Sequence, residues 1–133
     1  MVDDATQNLE GSPSRDRFKL LHKKKCASSS YACDLDFILV GKSPYRIVAF
    51  LDYKLSKDKV TFSEIIAYNI LKKIATVYII RSLKPDNGPF LITRFDGGDP
   101  SPNPPVANCS FVKECATWED FNKWEQDIRR MSL

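Results

Sequence analysis

Cys33-Asp34-Leu35-Asp36-Phe37-Ile38-Leu39-Val40, a short Gly41-Lys42-Ser43-Pro44 turn, and Arg46-Ile47-Val48-Ala49-Phe50-Leu51-Asp52-Tyr53-Lys54 decide how this chain is read. Two apolar runs of strand length flank residues with turn chemistry, which predicts a β-hairpin. Side chains alternate along a strand. Asp34, Asp36, Ile38 and Val40 then share one face of the first strand. On the second strand Val48, Phe50, Asp52 and Lys54 share one face, and Ile47, Ala49, Leu51 and Tyr53 the other. Antiparallel pairing lays the start of the first strand beside the end of the second. Asp34 or Asp36 thereby comes next to Asp52 and Lys54. Charges at the ends of apolar strands are costly unless they share a ligand or a partner. Clustered carboxylates repel unless a hard cation neutralises them, and their oxygens suit Mg2+ or Mn2+. A lysine on the same face can help deprotonate a water molecule or stabilise charge on a phosphate. The bland alternative is surface charge at strand ends, which requires three positions to coincide by chance.

Working outward toward the C-terminus, Thr61-Phe-Ser-Glu64 has the capping-box pattern and opens a helix predicted over Phe62 to Ala75. Ile66, Ile70 and Ile74 recur every fourth residue, with Ile65 and Leu71 beside them, as an apolar stripe. Tyr68 and Lys72 fall toward another side. Glu64 reads first as a capping residue, and a catalytic role for Glu64 or Tyr68 is the minor reading. Thr76 to Arg81 is β-branched and aromatic, a strand. Lys84 to Pro89 is a turn centred on Asn87-Gly88, and Phe90 to Phe95 is the next strand. Arg81 and Arg94 end these strands, facing either phosphate or solvent. Asp96 to Pro105 holds two glycines and four prolines and reads as a surface loop. Val106 to Lys113 is a last edge strand. Thr117 caps a final helix with Glu119 and Asp120 in its first turn and Arg129 and Arg130 in its last. Trp118, Phe121, Trp124 and Ile128 form its apolar face.

Toward the N-terminus, Cys26 to Ser30 is a small-residue loop or short strand. Ser14 to Lys25 is basic, carrying Arg15, Arg17, Lys19, Lys23, Lys24 and Lys25, and is read as a short helix or an arm. Such a run is either a solvated face or a set of phosphate contacts. Residues 1–13 are polar and read as a disordered tail, in which Glu10 is a remote candidate for an extra metal ligand. Residues 14–133 then form one domain.

Asp36, followed by a hydrophobic strand, a turn and Asp52-Tyr53-Lys54, resembles the signature of the PD-(D/E)XK nuclease superfamily. The Asp34-Leu35-Asp36-Phe37 and Asp52-Tyr53-Lys54 version is similar to a group of small microbial and phage proteins within it. The resemblance covers roughly residues 31 to 95. Leu35 stands where proline is common, Asp52 replaces the more usual glutamate, and Glu64 and Tyr68 have the spacing of a Gln-x-x-x-Tyr motif without its glutamine. The resemblance implies an α/β fold with a restriction-endonuclease-like core, a mixed central sheet flanked by helices. It implies that Asp36 and Asp52, with Asp34 as a further candidate, bind Mg2+ or Mn2+ and that Lys54 assists the attacking water. The reaction is then metal-dependent phosphodiester hydrolysis of nucleic acid, DNA before RNA. Arg15, Arg17, Lys23, Lys24 and Lys25 are the candidate phosphate contacts. The alternative is a non-catalytic relative that binds nucleic acid or a protein. Cutting two strands usually takes two sites, so a homodimer or larger assembly is expected.

The whole-chain quantities set bounds. The 133 residues suffice for one core, and 43% hydrophobic with 28% charged residues is ordinary for a globular protein. A net charge of +3 permits an anionic partner without demanding one. No apolar run reaches membrane-spanning length and no signal-peptide core opens the chain, so the expectation is no membrane and a cytoplasmic location. Four cysteines, at positions 26, 33, 109 and 115, lack the short spacing of a zinc site and read as free thiols. His22 is the single histidine, which excludes histidine-rich metal sites within this chain.

Overall fold

The structure, a computed structural model, describes residues 13–25, 35–84 and 87–131. The chain divides into two compact units, Met1–Tyr31 and Ala32–Leu133. In the first, the basic run forms helix α1, Pro13–Lys25. Phe18 and His22, one turn apart, bring their rings to 6.1 Å. The N-terminal tail with Glu10, the Cys26–Ser30 segment, Cys33 and Asp34 lie outside the described residues.

The second unit is α/β. Its elements run β1 (Phe37–Gly41), β2 (Arg46–Leu55), α2 (Phe62–Leu71), β3 (Thr76–Lys84), β4 (Asn87–Asp99), β5 (Val106–Cys115) and α3 (Trp118–Met131). The strands form one mixed sheet in chain order, β1 to β5. β1 and β2 are antiparallel, with Phe37 opposite Leu51 and Ile38 opposite Phe50. β2 and β3 are parallel, joined by α2, which the crossover between parallel strands requires. β3, β4 and β5 continue as an antiparallel meander. The mixed sheet with flanking helices is the class the sequence predicts.

Alternation along β2 separates two cores. Phe50 joins Val60, Ile65, Tyr68, Val77, Ile79 and Phe95 under α2. Ala49 and Leu51 join Leu39, Ile80, Ile92 and Trp124 under α3. Trp124 stacks edge-on against Tyr78 at 5.0 Å. Strands covered on both faces need near-continuous apolar sequence, which β2 and β3 have. β1 is an edge strand, and its Phe37, Ile38 and Val40 are exposed.

Five details differ from the sequence reading. α2 ends at Leu71, not Ala75. Its last turn tightens, with Lys73 N–H donating to Ile70 O at 3.1 Å and Ile74 N–H to Leu71 O at 2.8 Å. Its buried face is Ile65 and Tyr68, while Ile70 and Ile74 are exposed. Isoleucine spacing indicated a stripe, but the ring of Tyr68 fills the space against the sheet, meeting Phe95 edge-on at 5.3 Å. Val48 leaves the Phe50 face for the α3 core, because the register slips between Leu39 and Val40. The loop read as Asp96 to Pro105 begins only after Asp99, since β4 runs on through Gly97 and Gly98. Gly97 adopts φ +126°, a backbone that an L side chain rarely takes, and the sheet bulges there. Likewise Asn87 and Gly88 are strand, and the connection is residues 85–86, outside the described residues.

Candidate functional site

The site forms where β1 begins and β2 ends. One step beyond the Phe37–Leu51 pair, the register sets Asp36 opposite Asp52. The Tyr53 N–H donates to Asp36 Oδ2 at 2.7 Å, so a carboxylate takes the place of the next ladder acceptor. Asp36 is exposed, whereas Asp52 is only 4% exposed. Asp52 and Lys54 alternate with Tyr53 and so share the α2 side with Phe50. That side brings them under α2, as the capping box dictates. Thr61 Oγ1 accepts from Glu64 N–H at 3.3 Å, and Glu64 Oε1 accepts from Thr61 N–H at 2.9 Å. The same Glu64 carboxylate holds Lys54 Nζ, at 2.6 Å from Oε1 and 2.7 Å from Oε2. One turn on, the Tyr68 hydroxyl donates to Asp52 Oδ2. Glu64 and Tyr68 lie four apart and therefore on one helix face.

The electrostatics follow from burial. Desolvation is the largest influence on Asp52 and raises it from the ordinary 3.8 to about 7. The Tyr68 hydrogen bond opposes this. A hydrogen bond and like charge from Asp36, and charge from Glu64, add to it. Lys54 is a buried cation compensated by Glu64 with both oxygens. Removing either partner alone would strand a charge in the interior, typically at about 3–5 kcal/mol.

The structure thus brings together Asp36, Asp52 and Lys54, and adds Glu64 and Tyr68, which sequence reasoning ranked as minor. Their four-residue spacing behind a cap was the available signal. Asp34 lies outside the described residues. Arg17, Lys24 and Lys25 are exposed on α1, and the side chains of Arg15 and Lys23 are not among those described. Arg81 is half-buried, and its Nη1 donates to Leu55 O at 3.1 Å and to Asp58 O, which ties it to the loop after β2. Arg94 pairs with Asp96 at 2.7 Å.

Among the described residues, no group of three or more acidic, histidine or cysteine side chains is placed to hold a metal. Two carboxylates do meet, at Asp36 and Asp52. Mg2+ is ordinarily held by about one or two carboxylates, with water and substrate phosphate completing its shell. Asp52 is raised mainly by burial, with a smaller contribution from Asp36, and a divalent cation would offset both. The donor set therefore fits a hard cation. No helix among the described residues is long and apolar enough to cross a membrane. Comparison with protein-family models, curated proteins and solved structures gives no match.

Proposed function

We propose that this domain is a metal-dependent phosphodiesterase with a restriction-endonuclease-like core, acting on nucleic acid and on DNA before RNA. The carrying observation is the convergence of Asp36, Asp52 and Lys54 at the β1–β2 end, tied by Glu64 and Tyr68 to the helix that follows. The order of two adjacent strands, a helix and a further strand is the one the superfamily resemblance implies.

Asp36 and Asp52 would hold Mg2+ or Mn2+. When bound, such an ion neutralises phosphate charge and acidifies water. The protein's part is positioning. The Tyr53 N–H fixes the orientation of Asp36. Tyr68 holds one oxygen of Asp52 and leaves the other for a ligand. Lys54, steadied by Glu64, keeps a cation on the face where an anionic phosphoryl group would sit, in surroundings of low dielectric where its charge acts strongly.

The test is cleavage of plasmid and oligonucleotide substrates with Mg2+, Mn2+ or EDTA. Wild type is expected to cut with metal and not with EDTA. Asp52→Asn keeps the shape, removes a charged ligand and should abolish cleavage while the fold remains. Lys54→Ala should lower the rate by about 100-fold or more, the scale of removing one electrostatic group, without removing metal binding. One observation favours the second reading, a non-catalytic nucleic-acid-binding relative: both Glu64 oxygens engage the Lys54 ammonium. Absence of metal-dependent cleavage, together with no calorimetric divalent binding that Asp52→Asn removes, decides for that reading.

A further inference from the structure

The far end of the β1–β2 hairpin carries a second concentration of charge. The Gly41–Lys42 corner and the last turn of α3 enclose an open cleft of about 310 Å3, lined by Val40, Gly41, Lys42, Gln126, Arg129 and Arg130. Arg46 lies beside it, bonded to residues of its rim. Its Nη1 donates to Lys42 O and Pro44 O, each at 3.0 Å, and its Nη2 donates to Arg129 O at 3.0 Å. Arg46 thus staples the turn to the helix end. Gly41 makes this possible, because a Cβ there would sit 2.9 Å from the Arg46 guanidinium carbon.

Lys42, Arg129 and Arg130 line this cleft and Arg46 adjoins it, and the carboxylates facing them do not balance the charge. Asp127 pairs with Arg130. Glu125 lies 3.9 Å from Arg129 Nη2, too far for a firm pair. No other carboxylate is within salt-bridge distance of Arg46 or Lys42 among the described residues. The Nε donors of Arg46 and Arg129 are buried and have no hydrogen-bond acceptor among the described residues. Buried donors ordinarily find acceptors. Capping the negative end of α3 explains one or two of these cations. It does not explain Lys42, which sits on the hairpin and leaves the helix carbonyls to Arg46.

We infer that this cleft is a phosphate-binding subsite that grips the nucleic-acid backbone at a distance from Asp36 and Asp52. The inference rests on the phosphodiesterase reading for its choice of ligand. The spacing suits it. Six residues separate Asp36 from Lys42, roughly 20 Å along an extended strand. Phosphates recur about every 3.4 Å along one strand of a duplex, so a backbone following the exposed β1 edge, from which both sheet faces are open, spans this distance. Arginine forks suit phosphate oxygens, and a flexible lysine at the rim adds charge.

The experiment measures binding of a 20-base-pair duplex in EDTA as a function of salt, for wild type and for Lys42→Ala/Arg130→Ala. Both side chains are exposed, Arg130 at 72%, so the variant is expected to fold with an unchanged melting temperature. Loss of two phosphate contacts should flatten the slope of log K against log salt by about 1 to 2 and weaken binding roughly tenfold near 0.1 M salt. A control, Lys73→Ala/Lys113→Ala, removes the same charge elsewhere and should leave the slope alone. The inference is overturned by an unchanged slope in the cleft variant, by equal flattening in the control, or by a wild type that does not bind the duplex. Loss of binding to phosphatidylserine vesicles, with duplex binding intact, would assign the cleft to a lipid surface and also overturn it. Cleavage and calorimetry with Asp52→Asn report separately on the phosphodiesterase reading, so the two can fail independently.

Discussion

Asp52 concentrates the consequences of burying a carboxylate. Its folded pKa of about 7 stands above the unfolded value near 3.8. Between these values the folded protein binds more protons than the unfolded chain, so stability falls as pH rises through that window. The contribution is fully present below about pH 4 and lost above about pH 7. In metal-free protein, the urea midpoint of wild type should therefore drop between pH 5 and 8 relative to that of Asp52→Asn, which has no such proton to lose. A difference that does not vary with pH would show that Asp52 does not carry this cost. Tyr68 is the counterweight. Tyr68→Phe removes a donor to the buried carboxylate and should cost about 1–3 kcal/mol in denaturant unfolding. It should also weaken divalent binding about 10- to 100-fold by calorimetry, as loss of a ligand-orienting partner does. At this scale the sequence was informative in an uneven way. Asp36, Asp52 and Lys54 could be placed together because strand alternation and hairpin pairing are geometric rules. Glu64 and Tyr68 carry the same geometry, but Glu64 was already accounted for as a cap, and a tyrosine among isoleucines is easily taken for a secondary face.

Among the elements, α2 is anchored at both ends, and its position sets that of Glu64 and Tyr68 in the site. Its N-terminus is fixed by the Thr61 capping box, and its far side is clipped to β4. Asn69 Nδ2 donates to Gly98 O at 3.0 Å, and Gly98 N–H donates to Asn69 Oδ1 at 3.2 Å. The clip needs a backbone without side chains. A Cβ on Gly98 would lie 2.5 Å from Val106 O and 3.0 Å from Ile65 Cγ2. Gly98→Ala should thus destabilise by about 1–3 kcal/mol, the scale of overpacking, and shift α2 against the sheet. Denaturant midpoints and the amide shifts of residues 62–71 would register it; unchanged values would mean the strand ends adjust freely. The strands, the hairpin and both caps were legible because they rest on local chemistry. The extension of β4 through Gly97 was not, because glycines followed by prolines signal a loop, and what keeps this segment in the sheet is its pairing with β5, a long-range fact. The slip that redirects Val48 is likewise a property of two strands together.

For the molecule as a whole, a net charge of +3 conceals its distribution. Lys24 and Lys25 project from α1, while Lys42, Arg46, Arg129 and Arg130 gather at the hairpin end of the sheet unit. If α1 contacts phosphate, Lys23→Ala/Lys24→Ala/Lys25→Ala should make the salt dependence of duplex binding shallower; an unchanged slope makes the run a solvated face. Chain-order strand pairing leaves the sheet with β1 at one margin, and the segment Phe-Ile-Leu-Val-Gly there has no charge and no proline. Sheets usually protect such margins with lysine, proline or a covering segment. Among the described residues no strand pairs with its outer row of amides and carbonyls, so that row is a template on which another molecule's strand can register, and heating should turn loss of structure into turbidity. Ile38→Lys places a charge on a half-exposed position of that row. It should delay light scattering to higher temperature and concentration while moving the calorimetric midpoint little, and equal turbidity in the two proteins would locate the adhesive surface elsewhere.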